Sequence, residues 1–170
     1  ASFFEEGSIR VDKSSREFRT VTGSYNGREV SVISTGIGTD NIDIVVTELD
    51  ALANIDFKTR CVKPVHKRLT LLRIGTCGAV QPDIPLGSYV FSEYSIGFDG
   101  LLNWYAGCSD VVDIAMESAF VEHMNWPERL PAPYFIKSSE RLIPLFENNS
   151  VMGVTISAPG FYGPQGRSVR

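Results

Sequence analysis

Apolar residues fall on both faces of Leu69-Thr70-Leu71-Leu72-Arg73-Ile74, with no helical period. That pattern predicts a strand buried in the middle of a sheet. It breaks into Gly75-Thr76-Cys77-Gly78-Ala79-Val80-Gln81, a small-residue turn at the strand's carboxyl end. Upstream, the β-rich runs Arg16 to Val21 and then Tyr25 to Ser34, which opens with Tyr25-Asn26-Gly27, read as a β-hairpin. Asn-Gly between two such runs is the strongest short-range hairpin signal. Ile42, Val45, Val46, Leu49 and Leu52 then repeat at helical spacing. They predict a helix capped by Thr39 or Asp40 and running to Ala53. Ala1 to Val11 has no clear period, although Phe3 and Phe4 imply that it packs on something.

Downstream the pattern continues in the same alternating style. Asn54 to Arg68 reads as a polar connection, and Tyr89 to Ile96 as a strand. Val112, Ala115, Met116, Ala119, Phe120 and Met124 predict an amphipathic helix over Val111 to Asn125. Pro131 to Tyr134 reads as a loop, Ser138 to Phe146 as a short helix interrupted at Pro144, and Ser150 to Ser157 as the last strand. Strand, helix and strand joined by a long crossover imply parallel pairing and an α/β architecture. At 170 residues the chain is long enough for one domain with a sizeable core.

Composition narrows the partners. A net charge of -4 and an isoelectric point near 5.2 argue against nucleic acid or an anionic membrane surface. The basic residues from Lys58 to Arg68 read as a solvated connection. Cys61, Cys77 and Cys108 are odd in number and lack CxxC spacing, which favours reduced thiols in a cytoplasmic setting over a disulfide framework or a metal site. No apolar run approaches the roughly 18 residues that a membrane-spanning helix requires, and the N-terminal residues lack a signal peptide's charged and apolar regions. His66 and His123 have no metal spacing.

Three stretches carry candidate chemistry. A guanidinium inside a buried strand is costly unless an anion meets it, so Arg73 implies a negative ligand. Open parallel sheets bind ligands beyond the carboxyl ends of their strands. Arg73, Thr76 and the amides of Gly75 to Gly78 therefore read as one wall of an anion site. Gly36-Ile37-Gly38 is weak as a dinucleotide motif, because the third glycine of G-x-G-x-x-G would fall on Asn41. It reads instead as a tight turn aiming a helix N-terminus at a ligand. Phe161-Tyr162-Gly163-Pro164-Gln165-Gly166-Arg167 combines two aromatics with a donor–acceptor amide and a planar fork of donors. Such a set can read the edge of a heterocyclic base. It also fits a surface loop whose Phe161 plugs the core.

Ser34-Thr35-Gly36-Ile37-Gly38, Arg73-Ile74-Gly75-Thr76-Cys77-Gly78-Ala79 and the Phe161–Arg167 loop occur in the order and approximate spacing of the nucleoside phosphorylase family. The Gln-x-Arg pair resembles its uridine phosphorylase branch. The resemblance implies an α/β fold with a central mixed sheet flanked by helices, in a single domain over residues 1–170. It implies phosphorolysis of uridine to uracil and ribose 1-phosphate in nucleoside salvage, a pentosyl transfer needing no organic cofactor and no metal, with inorganic phosphate as co-substrate. It assigns phosphate to Arg73, Gly75 and Thr76, and to Arg16 acting in trans across a dimer interface. Ile37 and Thr76 take the ribose, and Cys77, Gly78, Phe161, Gln165 and Arg167 take the base. Arg73, Thr76 and Arg167 would carry the chemistry, in a homodimer or homohexamer.

The chain departs from that family in several places. Cys77 stands where relatives often carry Thr or Ser. The family's N-terminal Gly-Asp-x-x-Arg phosphate loop and its C-terminal Glu-Met-Glu-Ser ribose segment are not found, so the domain is expected to be incomplete and activity of these 170 residues alone is in doubt. Met116-Glu117-Ser118 imitates the latter but precedes the base loop on a helix. A purine nucleoside phosphorylase or a nucleosidase of the same fold is the nearest alternative. A nucleoside- or phosphate-binding protein without turnover is the alternative of another class.

Overall fold

The computed structural model describes residues 2–168. Its backbone falls into two compact units, one extending to Leu71 and the other beginning at Leu72.

The first unit is built on local signals. Strands β1 (Val11–Ser15), β2 (Phe18–Tyr25) and β3 (Arg28–Ser34) form an antiparallel sheet in that order. Tyr25 pairs with Arg28 across Asn26-Gly27, whose φ values of 49° and 70° define a turn positive at both central residues. This is the conformation an Asn-Gly pair favours. The hairpin arm starts at Phe18 rather than Arg16, because Arg16 and Glu17 form a second turn that pairs Ser15 with Phe18. β1 escaped prediction because all five of its residues are exposed, so no face is marked apolar. Phe4 lies across Gly23, where an added Cβ would come within 2.9 Å of its ring.

Helix α1 (Thr39–Asn54) follows, capped by Gly38 instead of Thr39 or Asp40. Gly38 has φ 101°, a conformation that favours glycine, so the turn chemistry overrides the side-chain cap. At the other end Asn54 is buried and fully engaged. Its amide donates to Asp50 Oδ1 at 2.7 Å and to Lys67 O at 3.1 Å, and its oxygen accepts the Lys67 amide at 2.7 Å. The connection read as polar contains a small hairpin, β4 (Ile55–Asp56) with β5 (Cys61–Val62).

In the second unit β6 (Val90–Gly97) is central, antiparallel to β7 (Tyr134–Lys137) and parallel to β8 (Val151–Ser157). This is a mixed sheet with helices packed on it: α2 (Ile114–His123) against β7 and the short α3 (Ile143–Phe146) against β6. Ile96, Phe135 and Pro133 are buried at its centre. Phe98, Phe120, Phe135 and Trp126 form a chain of ring contacts beside it. Asp113 caps α2 by accepting the Met116 amide at 3.0 Å, so the helix begins at Ile114 and not at Val111. Tyr134, read as loop, opens β7. Pro144 stands in the first turn of α3, where its missing N–H costs nothing, rather than interrupting a longer helix.

The largest correction concerns Leu69 to Gln81. Among the described residues this stretch forms no strand, and Leu71 to Val80 are exposed throughout. An apolar run states which neighbours a strand requires, but a strand exists only where a ladder pairs with it. None does here, and the parallel pair among the described residues is β6 with β8. Arg73 is consequently exposed and not a guanidinium buried within a sheet.

Candidate active site

The candidate residues divide between the two units. In the first, the Gly36-Ile37-Gly38 turn joins β3 to α1. Gly36 has φ 69°, and a Cβ there would stand 2.8 Å from Asn41 Nδ2 and 3.2 Å from Glu17 Cγ. Asn41 donates to Ile37 O at 3.3 Å, tying the turn to the first turn of α1. Packing of Glu17 on Gly36 sets the Arg16–Glu17 turn beside this loop. Arg16 occupies that turn with φ 53° and is exposed, as is the side chain of Ile37.

In the second unit the Arg73–Gly78 stretch and the Phe161–Arg167 loop come together. The Arg73 guanidinium folds back over Gly75, whose added Cβ would stand 3.1 Å from Nη1. Thr76 and Cys77 are exposed. Gly78 approaches Arg167, with 3.9 Å between the position of an added Cβ and Nη2. Residues 89 positions apart are thus neighbours.

The loop itself is stiffened by its backbone. Tyr162 O accepts the amides of both Gln165 (3.1 Å) and Arg167 (2.9 Å), across the single 3₁₀ turn Gly163–Gln165. Gly166 at φ 67° ends that turn. Pro164 packs on Gly160, where a Cβ would lie 3.0 Å from the ring. Three side chains then form one cluster. Arg167 Cζ lies 4.1 Å above the centre of the Phe161 ring, a cation–π contact. Nε and Nη2 of Arg167 both donate to Gln165 Oε1 at 3.2 Å. The Tyr162 ring meets Phe161 edge-on, at 5.3 Å and 87°.

Phe161 is 58% exposed, which removes the reading of a core plug. Gln165 and Arg167 bond to each other, a pairing that no spacing in the sequence signals. The Gln165 amide nitrogen and Arg167 Nη1 make no hydrogen bond among the described residues, so both can donate to a ligand's carbonyl oxygens. Met116-Glu117-Ser118 lies on α2, and Glu117 accepts the Phe135 amide at 3.3 Å. Among the described residues no group of three or more His, Cys, Asp or Glu could hold a metal ion, and no helix is long and apolar enough to cross a membrane.

Comparison with known proteins gives the class. The phosphorylase superfamily model matches residues 2–170, and the chain belongs to that superfamily. A uridine phosphorylase of Thermococcus kodakarensis is 30% identical over 154 residues, covering 89% of this chain and 44% of that protein. A DeoD-type purine nucleoside phosphorylase of Anoxybacillus flavithermus is 37% identical over 74 residues, 44% of this chain and 26% of that protein. Among solved structures, a Trypanosoma brucei nucleoside phosphorylase with uridine phosphorylase activity superposes with a TM-score of 0.79 at 27% identity, covering 99% of this chain and 61% of that one. The chain spans less than half the length of these two curated relatives.

Proposed function

We propose that this chain carries the nucleoside-phosphorolysis site of a uridine phosphorylase, cleaving uridine with inorganic phosphate to uracil and ribose 1-phosphate. The observation that carries the reading is the Phe161–Gln165–Arg167 cluster standing beside Gly78. Likeness over 154 residues to a uridine phosphorylase supports it. In this reading Arg73, Gly75 and Thr76 hold phosphate, Thr76 meets the ribose, and Cys77, Gly78, Phe161, Gln165 and Arg167 hold the base. Arg16 reaches the phosphate of a partner subunit, in a homodimer or homohexamer. The reaction takes place in the cytoplasm, without organic cofactor or metal.

The chemistry is positioning followed by charge stabilisation. Phosphate held beneath C1′ needs no covalent enzyme intermediate, and alignment supplies much of the rate. As the glycosidic bond stretches, positive charge grows on the ribose and negative charge on the uracil. Phosphate answers the first. The donors of Arg167 and Gln165 answer the second, stabilising charge that develops only late.

The test is uracil release from uridine with and without phosphate, on this chain and on a longer protein that carries it. Phosphate-dependent release supports the proposal. Release without phosphate indicates a nucleosidase, and saturable binding without product indicates a binding protein. A second reading, a purine nucleoside phosphorylase, has the 74-residue likeness behind it. Turnover of inosine in place of uridine would select it.

A further inference from the structure

Beyond the loop itself, a tyrosine, a glycine and an aspartate stand in close contact at the carboxyl end of β6. Gly97 pairs with Tyr134 of β7 on one side and with Ser157 of β8 on the other. The Tyr134 ring lies directly over Gly97, so close that a Cβ there would fall 2.0 Å from Cζ. The Tyr134 hydroxyl donates to Asp99 Oδ1 at 2.6 Å, and the same oxygen accepts the Leu101 amide at 2.8 Å. Between Gly97 and Asp99, the Phe98 amide donates to Ser157 O at 2.9 Å. Ser157 is the last residue of β8, and four residues later the chain reaches Phe161.

Asp99 bears a cost in this arrangement. Its Oδ2 is enclosed and has no hydrogen-bond partner among the described residues. Buried acceptors are normally satisfied, and an exception calls for a reason. Rotating the carboxylate to expose Oδ2 would break the bonds to Tyr134 and Leu101 together. The carboxylate is therefore held where it serves the phenol and the turn, not where it is best solvated.

We infer that Tyr134 is a positioning residue for the Phe161–Arg167 loop, acting through Asp99 and the Phe98–Ser157 bond. The phenol pins the turn after β6, that turn fixes Phe98, and Phe98 fixes the strand end from which the loop departs. Its consequence for uridine rests on the function proposed above, whereas its consequence for loop order does not.

The experiment separates the two. Amide exchange at Gln165 and Arg167, both bonded to Tyr162 O, is followed in the whole protein with Tyr134→Phe. Exchange at both is expected to rise about tenfold, since local order there depends on the anchored strand end. In steady-state kinetics the KM for uridine should rise about tenfold while the KM for phosphate changes by less than about twofold. Asp99→Asn keeps an oxygen acceptor for the phenol and should exchange like wild type. Asp99→Ala should behave like Tyr134→Phe, and this pair decides the matter if Tyr134→Phe does not fold. Unchanged exchange at Gln165 and Arg167, or indistinguishable Asp99→Asn and Asp99→Ala, overturns the inference. Faster exchange in a protein that releases no uracil supports the positioning role and removes only the uridine reading.

Discussion

The Arg167 guanidinium lies over Gly78, with Nη2 3.9 Å from where a β-carbon on that glycine would stand. That distance is ordinary van der Waals contact, and the Gly78 backbone lies outside the left-handed region. Gly78→Ala is therefore expected to change stability by less than about 0.5 kcal/mol and to keep most of the activity. Gly78→Leu would fill the space where the guanidinium lies. Its uridine turnover should fall steeply with little change in the thermal midpoint. Equal activities for the alanine and leucine variants would show that the two residues do not share a site.

Arg167→Ala tests the same contact from the other side. It removes the cation above Phe161 and both donors to Gln165 Oε1. If Arg167 stabilises charge on the departing uracil, the loss should resemble that of one oxyanion donor, about 3 kcal/mol or some hundredfold in kcat. All of its partners lie in exposed segments, so the melting temperature should hardly move. A variant whose KM alone rises would indicate binding of the base equally in ground and transition states.

What could be read from the sequence was what is local. The β2–β3 hairpin needed only Asn26-Gly27 and its flanking runs, because the turn residues fix the register by themselves. The Phe161–Arg167 loop was visible because Phe161, Gln165 and Arg167 lie within seven residues. Leu69 to Gln81 misled for the opposite reason. Its pattern specifies burial on both faces, yet whether a ladder covers it depends on distant segments. β7 went unseen because four residues after Pro131-Ala132-Pro133 are too few to establish a period. The Gly78–Arg167 approach has no sequence signal in spacing at all, and only the family resemblance joined the two stretches.

Gly97 offers a stability test that owes nothing to function. A β-carbon there would penetrate the Tyr134 ring at 2.0 Å, and the ring cannot yield without leaving Asp99. Overpacking of this kind costs about 3 kcal/mol, and Gly97→Ala should lower the urea midpoint accordingly. Adding Tyr134→Ala should recover part of the loss, because the clash goes with the ring. A loss below about 1 kcal/mol for the single variant would mean that the ring is not held against the glycine.

The cap of α2 makes a smaller and cleaner prediction. Asp113 accepts the Met116 amide at 3.0 Å, and its own amide donates to Phe135 O at 2.9 Å. Only the first bond involves the side chain. Asp113→Ala should therefore cost about 1 kcal/mol, measured by denaturant unfolding, while Asp113→Ser should recover most of it. Equal stability of the aspartate and alanine forms would refute the capping role.

Alkaline pH isolates Tyr134. Burial raises its phenol above the ordinary value, and the hydrogen bond to Asp99 and that group's charge add to the effect. The native state thus keeps a proton that the unfolded chain releases near pH 10. A group whose folded value is raised contributes in full below the unfolded value and loses that contribution as pH climbs toward the folded one. Above about pH 10 the wild-type protein should therefore lose stability with a steeper slope than Tyr134→Phe, which has no proton to release at that position. Lys137 is also raised, by its bond to Glu140, but it is common to both proteins and cancels in the difference. Denaturant midpoints for the two, taken at steps from pH 8 to pH 11, settle the point. Curves that stay parallel across that range would mean that the phenol's surroundings do not favour its protonated form.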